Sequence, residues 1–489
     1  VLLKHRDNCR VRAGHVAEAD MRQREHAGSL DDCLADHLCF LRSVFSGKLS
    51  SFERKRFDNL SHEPNKAMNL NSYIGIMGSA FRFEKKGEKE LLVAAPMEYA
   101  DLTVEESEYI VTLDADSIIL PDYVLRLLYM MEQPGNERLA VIQTPYNAFP
   151  FAPGRLEQVA GATTDVQYII HQGFTAFSGT YWVGANALLR KQALNDIAVC
   201  ERERGYSVVR YIQDRTVIED TESSIDLVAR DWRLYNYPER LAFSATPPDF
   251  GALIIQRRRW ANGGLIILPK LLRYLLCNAY HWRIWFEGFF RVHYLISIAA
   301  VNVGLLTVLA LPFTESVRSW WLPLSALPYF VLYARDLRLS GYRRRDVFGV
   351  YAINLLLIPV NLAGVFKSIE QMLSKSKIPF GRTPKVNGRT AASPFYVAAV
   401  YFLFAQWLLG ALVDVYYSRW LHAAFASVNA AFLAYAVVGF AGLRETWADL
   451  VVPLRAWRRD FRRRWVYPAG RRIGLPLRPR YLYAERGVD

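Results

Sequence analysis

Cysteine is scarce in this chain, with five in 489 residues: Cys9, Cys33, Cys39, Cys200 and Cys277. Their number is odd and no CxxC pair occurs, which excludes a disulfide framework and a zinc ribbon and fits a reducing compartment. Internal repeats and low-complexity tracts are absent, so solenoid and fibrous architectures are excluded. The chain opens at Val1 with neither an initiator methionine nor a signal peptide, and is expected to be a fragment of a longer protein. Charged residues make up 22% of the chain and hydrophobic ones 52%, a balance that excludes a disordered polymer.

Apolar residues thicken after about residue 264 into blocks long enough to cross a bilayer, so a wholly soluble protein is excluded. Four spans are expected, near Val292–Phe313, Trp320–Tyr333, Ala392–Val413 and Leu421–Ala441. A fifth block, Val347–Phe366, is apolar enough to span, but both its flanks are basic. The positive-inside rule puts both flanks on the cytoplasmic face, which predicts an interfacial or re-entrant segment. The net charge is +13, and the tail after Gly442 carries twelve Lys/Arg against five acids. Basic residues that track a membrane boundary, interleaved with Trp and Phe as in Arg455–Trp465, fit lipid headgroups rather than nucleic acid. Pro269–Phe290, with its Leu271, Leu272, Leu275, Leu276 and Ala279 stripe, is predicted to lie flat on the membrane.

Ahead of the membrane blocks, residues 56–264 alternate strand-like and helical stretches, the pattern of an α/β domain. The run Tyr109-Ile-Val-Thr-Leu reads as a strand that delivers Asp114 and Asp116 to its C-terminal end, where open α/β sheets bind ligands. Carboxylates two apart suit Mg²⁺ or Mn²⁺ bridging phosphates, although a loop or capping role is equally compatible with the pair alone. Asp220, in Ile218-Glu219-Asp220, precedes an amphipathic helix. It reads either as a cap or as a general base at a helix mouth, and the two are compatible. Gln256-Arg-Arg-Arg-Trp260 offers guanidinium groups for phosphate and an indole for a sugar ring, or an interfacial anchor. Lys66-Ala-Met-Asn-Leu-Asn71 is weak chemistry by itself, and Phe380-Gly-Arg-Thr-Pro-Lys385 reads as a basic connector or a lid over an anion.

The order of these motifs carries more than any one of them. Lys-Ala-x-Asn-Leu-Asn, DAD, Tyr181-Trp-Val-Gly184, Glu-Asp, QxxRW, membrane blocks and FxxTPK, from Lys66 to Lys385, resembles the processive family 2 glycosyltransferases, bacterial cellulose synthase and its relatives above all. The resemblance implies an α/β GT-A glycosyltransferase domain with a Rossmann-like mixed sheet, followed by an α-helical transmembrane region. It implies an inverting enzyme that moves a sugar, with glucose expected, from a UDP-sugar donor to a growing β-linked polysaccharide acceptor and extrudes the product. Lys66, Asp114, Asp116 and Arg259 would bind the nucleotide sugar, with Mg²⁺ or Mn²⁺ on Asp114 and Asp116. Gly184, Gln256 and Trp260 would contact the acceptor, Asp220 would be the catalytic base, and Thr383 and Lys385 would sit on a gating loop. Ile218 stands where the family has Thr. No uridine-gripping motif occurs before Lys66; either it lies upstream of Val1 or the donor site is incomplete.

The expected division is an N-terminal segment of no assigned role (1–55), a catalytic domain (56–264), an interfacial helix (265–290), a transmembrane region (291–442) with the gating loop near 380–386, and a basic tail (443–489). The catalytic domain and tail are expected on the cytoplasmic side of the cell membrane, the chain crossing the lipid bilayer several times beside possible accessory export subunits. Two other readings stand beside this one: a non-processive enzyme acting on a lipid carrier, and a catalytically inactive membrane scaffold.

Overall fold

The structure is a computed structural model and describes residues 34–35, 38, 50–149, 152–184, 186–214, 216, 218–310, 321–374 and 388–452. Thr383, Lys385 and the basic tail from residue 453 on therefore lie outside the described residues, as does most of the N-terminal segment.

The catalytic half is built on a mixed sheet. β4 (Tyr109–Leu113), β6 (Leu139–Gln143), β8 (Asn186–Arg190) and β11 (Arg233–Asn236) lie in the order β11-β6-β8-β4. β11 pairs parallel to β6, whereas β8 runs antiparallel to both β6 and β4. Three strands thus point the same way, and β8 enters between two of them from the opposite end. In β4, Ile110 and Thr112 are buried while their neighbours are less so, the period-two signature of a strand. β6 and β8 are buried at every position, as strands inside a sheet covered on both faces must be.

The charged stretch Ala80–Glu108 folds in large part into an antiparallel sheet. β1 (Ser79–Lys86) is flanked by β2 (Lys89–Ala94) and β3 (Leu102–Val104). Its apolar face closes on Phe57, Ile76, Leu92 and Val104. Charge alternating with Phe81, Phe83 and Leu92 is what one solvated and one buried face require.

The expected seam at 264/265 falls inside one continuous helix, Phe250–Cys277, and the seam at 290/291 falls inside another, Trp282–Ala310. The first is capped by Asp249, whose carboxylate accepts from the Ala252 amide at 2.8 Å, and it runs through Pro269. QxxRW and the first part of that predicted interfacial stretch, Pro269–Cys277, are therefore consecutive turns of a single rod, and the rest of the stretch crosses the break at residues 278–281 into the next helix. The leucine stripe splits: Leu271 and Leu275 pack with Tyr181, Ile225 and Leu295, whereas Leu272 and Leu276 face outward.

Among the described residues, four helical stretches are long and apolar enough to cross a membrane: Trp282–Thr307, Asp346–Ser374, Pro394–Tyr416 and Trp420–Ala441. Trp321–Leu339, with Pro328 inside, is not one of them, and Asp346–Ser374, expected to be interfacial, is. Its basic flanks are real, but they bound a helix of 29 residues rather than the 20 of the apolar block alone. Leu355, Leu356, Ile358 and Val360 of this helix lie at the centre of the largest apolar cluster.

Candidate active site

Strand register assembles the site. Leu113, the last residue of β4, pairs with Asn186, the first of β8. The chain leaving β4 at Asp114 and the chain entering β8 through Gly184 are thereby brought side by side. Lys66 joins them from the first turn of α1 (Lys66–Ile74), whose N-cap Asn65 accepts from the Met68 amide at 2.8 Å. Its ammonium donates to the Asp114 carboxylate and, at 2.8 Å, to the Gly184 carbonyl. Asp116 stands two residues on, half-buried in the turn before β5 (Ser117–Ile119; β7 is Tyr146–Ala148).

The second carboxyl group arrives from α5 (Glu219–Val228; α2–α4 are Tyr123–Met131, Arg155–Thr175 and Lys191–Asp196). Asp220 does not cap this helix, since Ile218 holds the N-cap position and no side chain caps there. The Asp220 carboxylate instead accepts from the amide of Thr221 at 2.7 Å. It also lies against Gly184, where an added β-carbon would overlap it. Burial pushes the Asp220 carboxyl above the usual carboxylate range, opposed by the Thr221 amide and by the positive charges of Lys66 and Arg259. Burial, with the adjacent Asp220 charge, lifts Glu219 to about 7. Lys66, Arg259, Gly184 and Asp220 thus form one neighbourhood with Asp114 at its edge.

Arg259 belongs to α6 (Phe250–Cys277), docked on α5 by Lys270, which reaches Asp226 at 2.6 Å and Glu222 at 3.6 Å. One turn of α6 presents Gln256 and Trp260, both half-buried. The Arg257 guanidinium covers the Trp260 ring at 4.5 Å and donates to Thr163 Oγ1 at 2.6 Å. Trp260 is thereby held by its neighbour on one face.

Several residues that fix this geometry have no sequence signature of their own. Gln143, at the end of β6, accepts from the Val183 amide at 2.9 Å and donates to the Tyr181 carbonyl at 2.5 Å. Ser224 accepts from the Trp182 amide at 2.9 Å. Asn71, buried in α1, accepts from the amides of Tyr211 and Ile212 at 3.0 and 2.8 Å and donates to the Ile212 carbonyl at 2.8 Å. It serves as a substitute strand edge for the segment leading to Asp220, so the second asparagine of the Lys66 motif acts on the backbone. Asn71→Ala leaves three backbone groups, two of them buried, without this partner and should destabilise the protein by about 3 kcal/mol. A thermal unfolding midpoint in detergent equal to wild type would refute this.

The donor set suits a hard divalent ion. Among the described residues, no group of three or more His, Cys, Asp or Glu forms an all-protein cage. Mg²⁺ and Mn²⁺ sites on phosphate substrates use one or two carboxylates with the phosphates completing the shell, which is what Asp114 and Asp116 offer.

Carboxylates at the C-terminal edge of a mixed α/β sheet, cations beside them and an apolar helical region behind are an arrangement that suits a glycosyltransferase. Residues 109–333 match the family model described as glycosyl transferase family group 2. The chain is similar to a UDP-forming cellulose synthase catalytic protein of Dictyostelium discoideum, with 26% identity over 35% of this chain and 15% of that protein. Cellulose synthase 2 of Novacetimonas hansenii is 25% identical over 37% of this chain and 11% of its own length. A protein named probable glucomannan 4-beta-mannosyltransferase 7, of Oryza sativa subsp. japonica, is 25% identical over 39% and 30%. The match spans less than a third of each of these relatives. Residues 109–333 thus form a glycosyltransferase domain of family group 2, and the chain is similar to cellulose synthases.

Proposed function

We propose that the protein is a membrane-embedded inverting glycosyltransferase that takes a sugar from a UDP-sugar and extends a β-linked polysaccharide. The observation that carries this is the Asp220 carboxylate lying against Gly184 within the fields of Lys66 and Arg259. In the proposed reaction Asp220 takes the proton from the acceptor hydroxyl as that oxygen attacks the anomeric carbon. The bond from that carbon to the diphosphate oxygen breaks on the opposite face, and the pair of electrons leaves with UDP. Lys66 and Arg259 meet the charge that grows on the diphosphate. Asp114 and Asp116 would hold Mg²⁺ or Mn²⁺, which supplies Lewis-acid neutralisation of the same charge. Trp260, with one face covered by Arg257, offers its other surface to the terminal sugar ring, and Gln256 an amide to its hydroxyls. Glucose is the expected sugar, on the strength of two relatives named cellulose synthase, with mannose the alternative set by the rice relative's name.

We assign the catalytic domain to the cytoplasmic face and the product's exit to the apolar helices, because two basic flanks meet the domain: beside Arg343–Arg345, Asp346 pairs with Arg155, and beside Arg389, the Thr390 amide donates to Asp249. The loop holding Thr383 and Lys385, between Ser374 and Arg389, would close over bound UDP.

The test is UDP release from each candidate UDP-sugar by the purified protein in detergent with Mg²⁺ or Mn²⁺. Turnover with one donor and a long product is the expected result. A product one sugar longer would favour the lipid-carrier enzyme, and no turnover in a folded protein would favour the inactive scaffold.

A further inference from the structure

The segment that brings Gly184 to Asp220, residues 178–184 ahead of β8, is held from two sides. Gln143 and Ser224 hold it from the catalytic domain, through the carbonyl and amides of Tyr181–Val183. The other hold comes from α7 (Trp282–Ala310), the first of the apolar helices. Arg291 in this helix is 1% exposed, although it borders the span expected to begin at Val292. Its Nε donates to Glu287 at 2.6 Å, one turn back. Its terminal nitrogens donate to the carbonyls of Thr180 at 3.1 Å and Ser178 at 2.8 Å. The Tyr181 hydroxyl donates to the Arg291 carbonyl at 3.4 Å, and the guanidinium lies 5.1 Å from the Tyr181 ring centre.

This contact is specific to a guanidinium. One planar fork serves a carboxylate and two carbonyls at once, which an ammonium on a flexible stem does not match. What it grips also needs holding, because Ser178 sits at φ 54°, a left-handed conformation unfavourable for a residue with a β-carbon. Only three residues separate Thr180 from Gly184, and each of those three has a hydrogen bond to the catalytic domain. A displacement of α7 is therefore passed to Gly184 with little slack. The donor-side groups have holds of their own: Lys66 and Asp114 sit on α1 and at the end of β4, and Arg259 sits on α6, which Lys270 ties to α5. They still meet α7 in two places, since α7 packs mainly on α6 and on α9 (Asp346–Ser374; α8 is Trp321–Leu339) and Lys66 donates to the Gly184 carbonyl.

We propose that Arg291, held by Glu287, is a positioning residue through which the membrane helix sets the acceptor segment, so that acceptor affinity depends on this contact far more steeply than donor affinity does. The proposal rests on the glycosyltransferase reading for its kinetic consequence, and on the hydrogen bonds alone for its structural one.

Two variants of the full chain test it. Arg291→Lys keeps a cation beside Glu287 and loses the fork; the double variant Glu287→Gln/Arg291→Gln removes both buried charges together, so that neither is left uncompensated. With a soluble β-glucan oligosaccharide as acceptor, its KM should rise about tenfold or more in both, while the Kd for UDP stays within about twofold. Amide exchange in residues 178–184 should accelerate about tenfold or more, with residues 109–113 unchanged. Unchanged KM together with unchanged exchange would overturn the proposal. So would a UDP Kd that weakens in step with KM, since a general structural role predicts that. If wild type transfers no sugar, the glycosyltransferase reading fails separately, and the exchange comparison alone decides the coupling.

Discussion

Asp220→Asn is expected to lower sugar transfer by about three orders of magnitude while leaving the protein at least as stable as wild type at neutral pH. The loss follows from the proton: a neutral amide cannot accept it, and the neighbouring Glu219 belongs to the same turn but not to the face that meets Gly184. The retained stability follows from linkage. Burial raises the Asp220 carboxyl above its unfolded value, and Glu219 rises to about 7. A carboxyl whose folded pKa is raised binds its proton more tightly in the native state. Its contribution is fully present below the unfolded value near 4 and is lost as pH climbs through the folded value. Between about 4 and 7 the native protein is thus progressively destabilised by ionising carboxyls in this turn. The amide removes one such charge and still accepts from the Thr221 amide. Activity should show the reverse pH dependence, rising as Asp220 ionises, with its acid limb above the ordinary carboxylate range. Unfolding midpoints from pH 5 to 8, taken with UDP release over the same range, check both halves. A variant that kept a tenth of wild-type turnover would remove Asp220 from the reaction.

How much of this was legible without coordinates depended on how local the determinant was. β4 and its two aspartates were legible because a β-branched run and a turn lie within eight residues. So were three of the four apolar blocks expected to span, whereas Trp320–Tyr333, short and broken by prolines, was not matched by a span. The site itself was assembled from motif order, because pairing Leu113 with Asn186 depends on contacts 73 residues apart that leave no periodic trace. Asn71 and Gln143 were not legible as positioning groups, since a buried amide that bonds to backbone has no characteristic spacing. Arg291 was readable in part: a cation at the edge of an apolar block demands a partner, yet nothing local says that the partners are Glu287 and two carbonyls of a distant loop. The basic flanks of Asp346–Ser374 misdirected the reading of that helix, because charge bias reports where loops prefer to lie and is silent on how far a helix extends into them.

Gly184→Ala should be nearly as damaging as loss of the carboxylate, for a steric reason. Gly184 has φ +86°, where a β-carbon is strained, at a cost of about 1–2 kcal/mol. Its β-carbon would also overlap the Asp220 carboxylate and force that group or the segment to move. Either movement breaks something already assigned: the base leaves the acceptor hydroxyl, or the Gly184 carbonyl leaves Lys66. A misplacement of about 1 Å at a reacting centre costs on the order of a hundredfold in rate, so transfer should fall by at least that much. Gly205→Ala separates strain from overlap. Gly205, in the turn joining β9 (Val199–Glu203) and β10 (Tyr206–Arg210), has φ +88° and nothing within 4 Å of an added β-carbon. That variant should carry the same backbone strain, about 1–2 kcal/mol of stability, and keep its transfer rate within about twofold. Equal rates in the two variants would mean that the backbone strain is the whole effect, and the close approach of Asp220 to the acceptor segment would then have no part in catalysis.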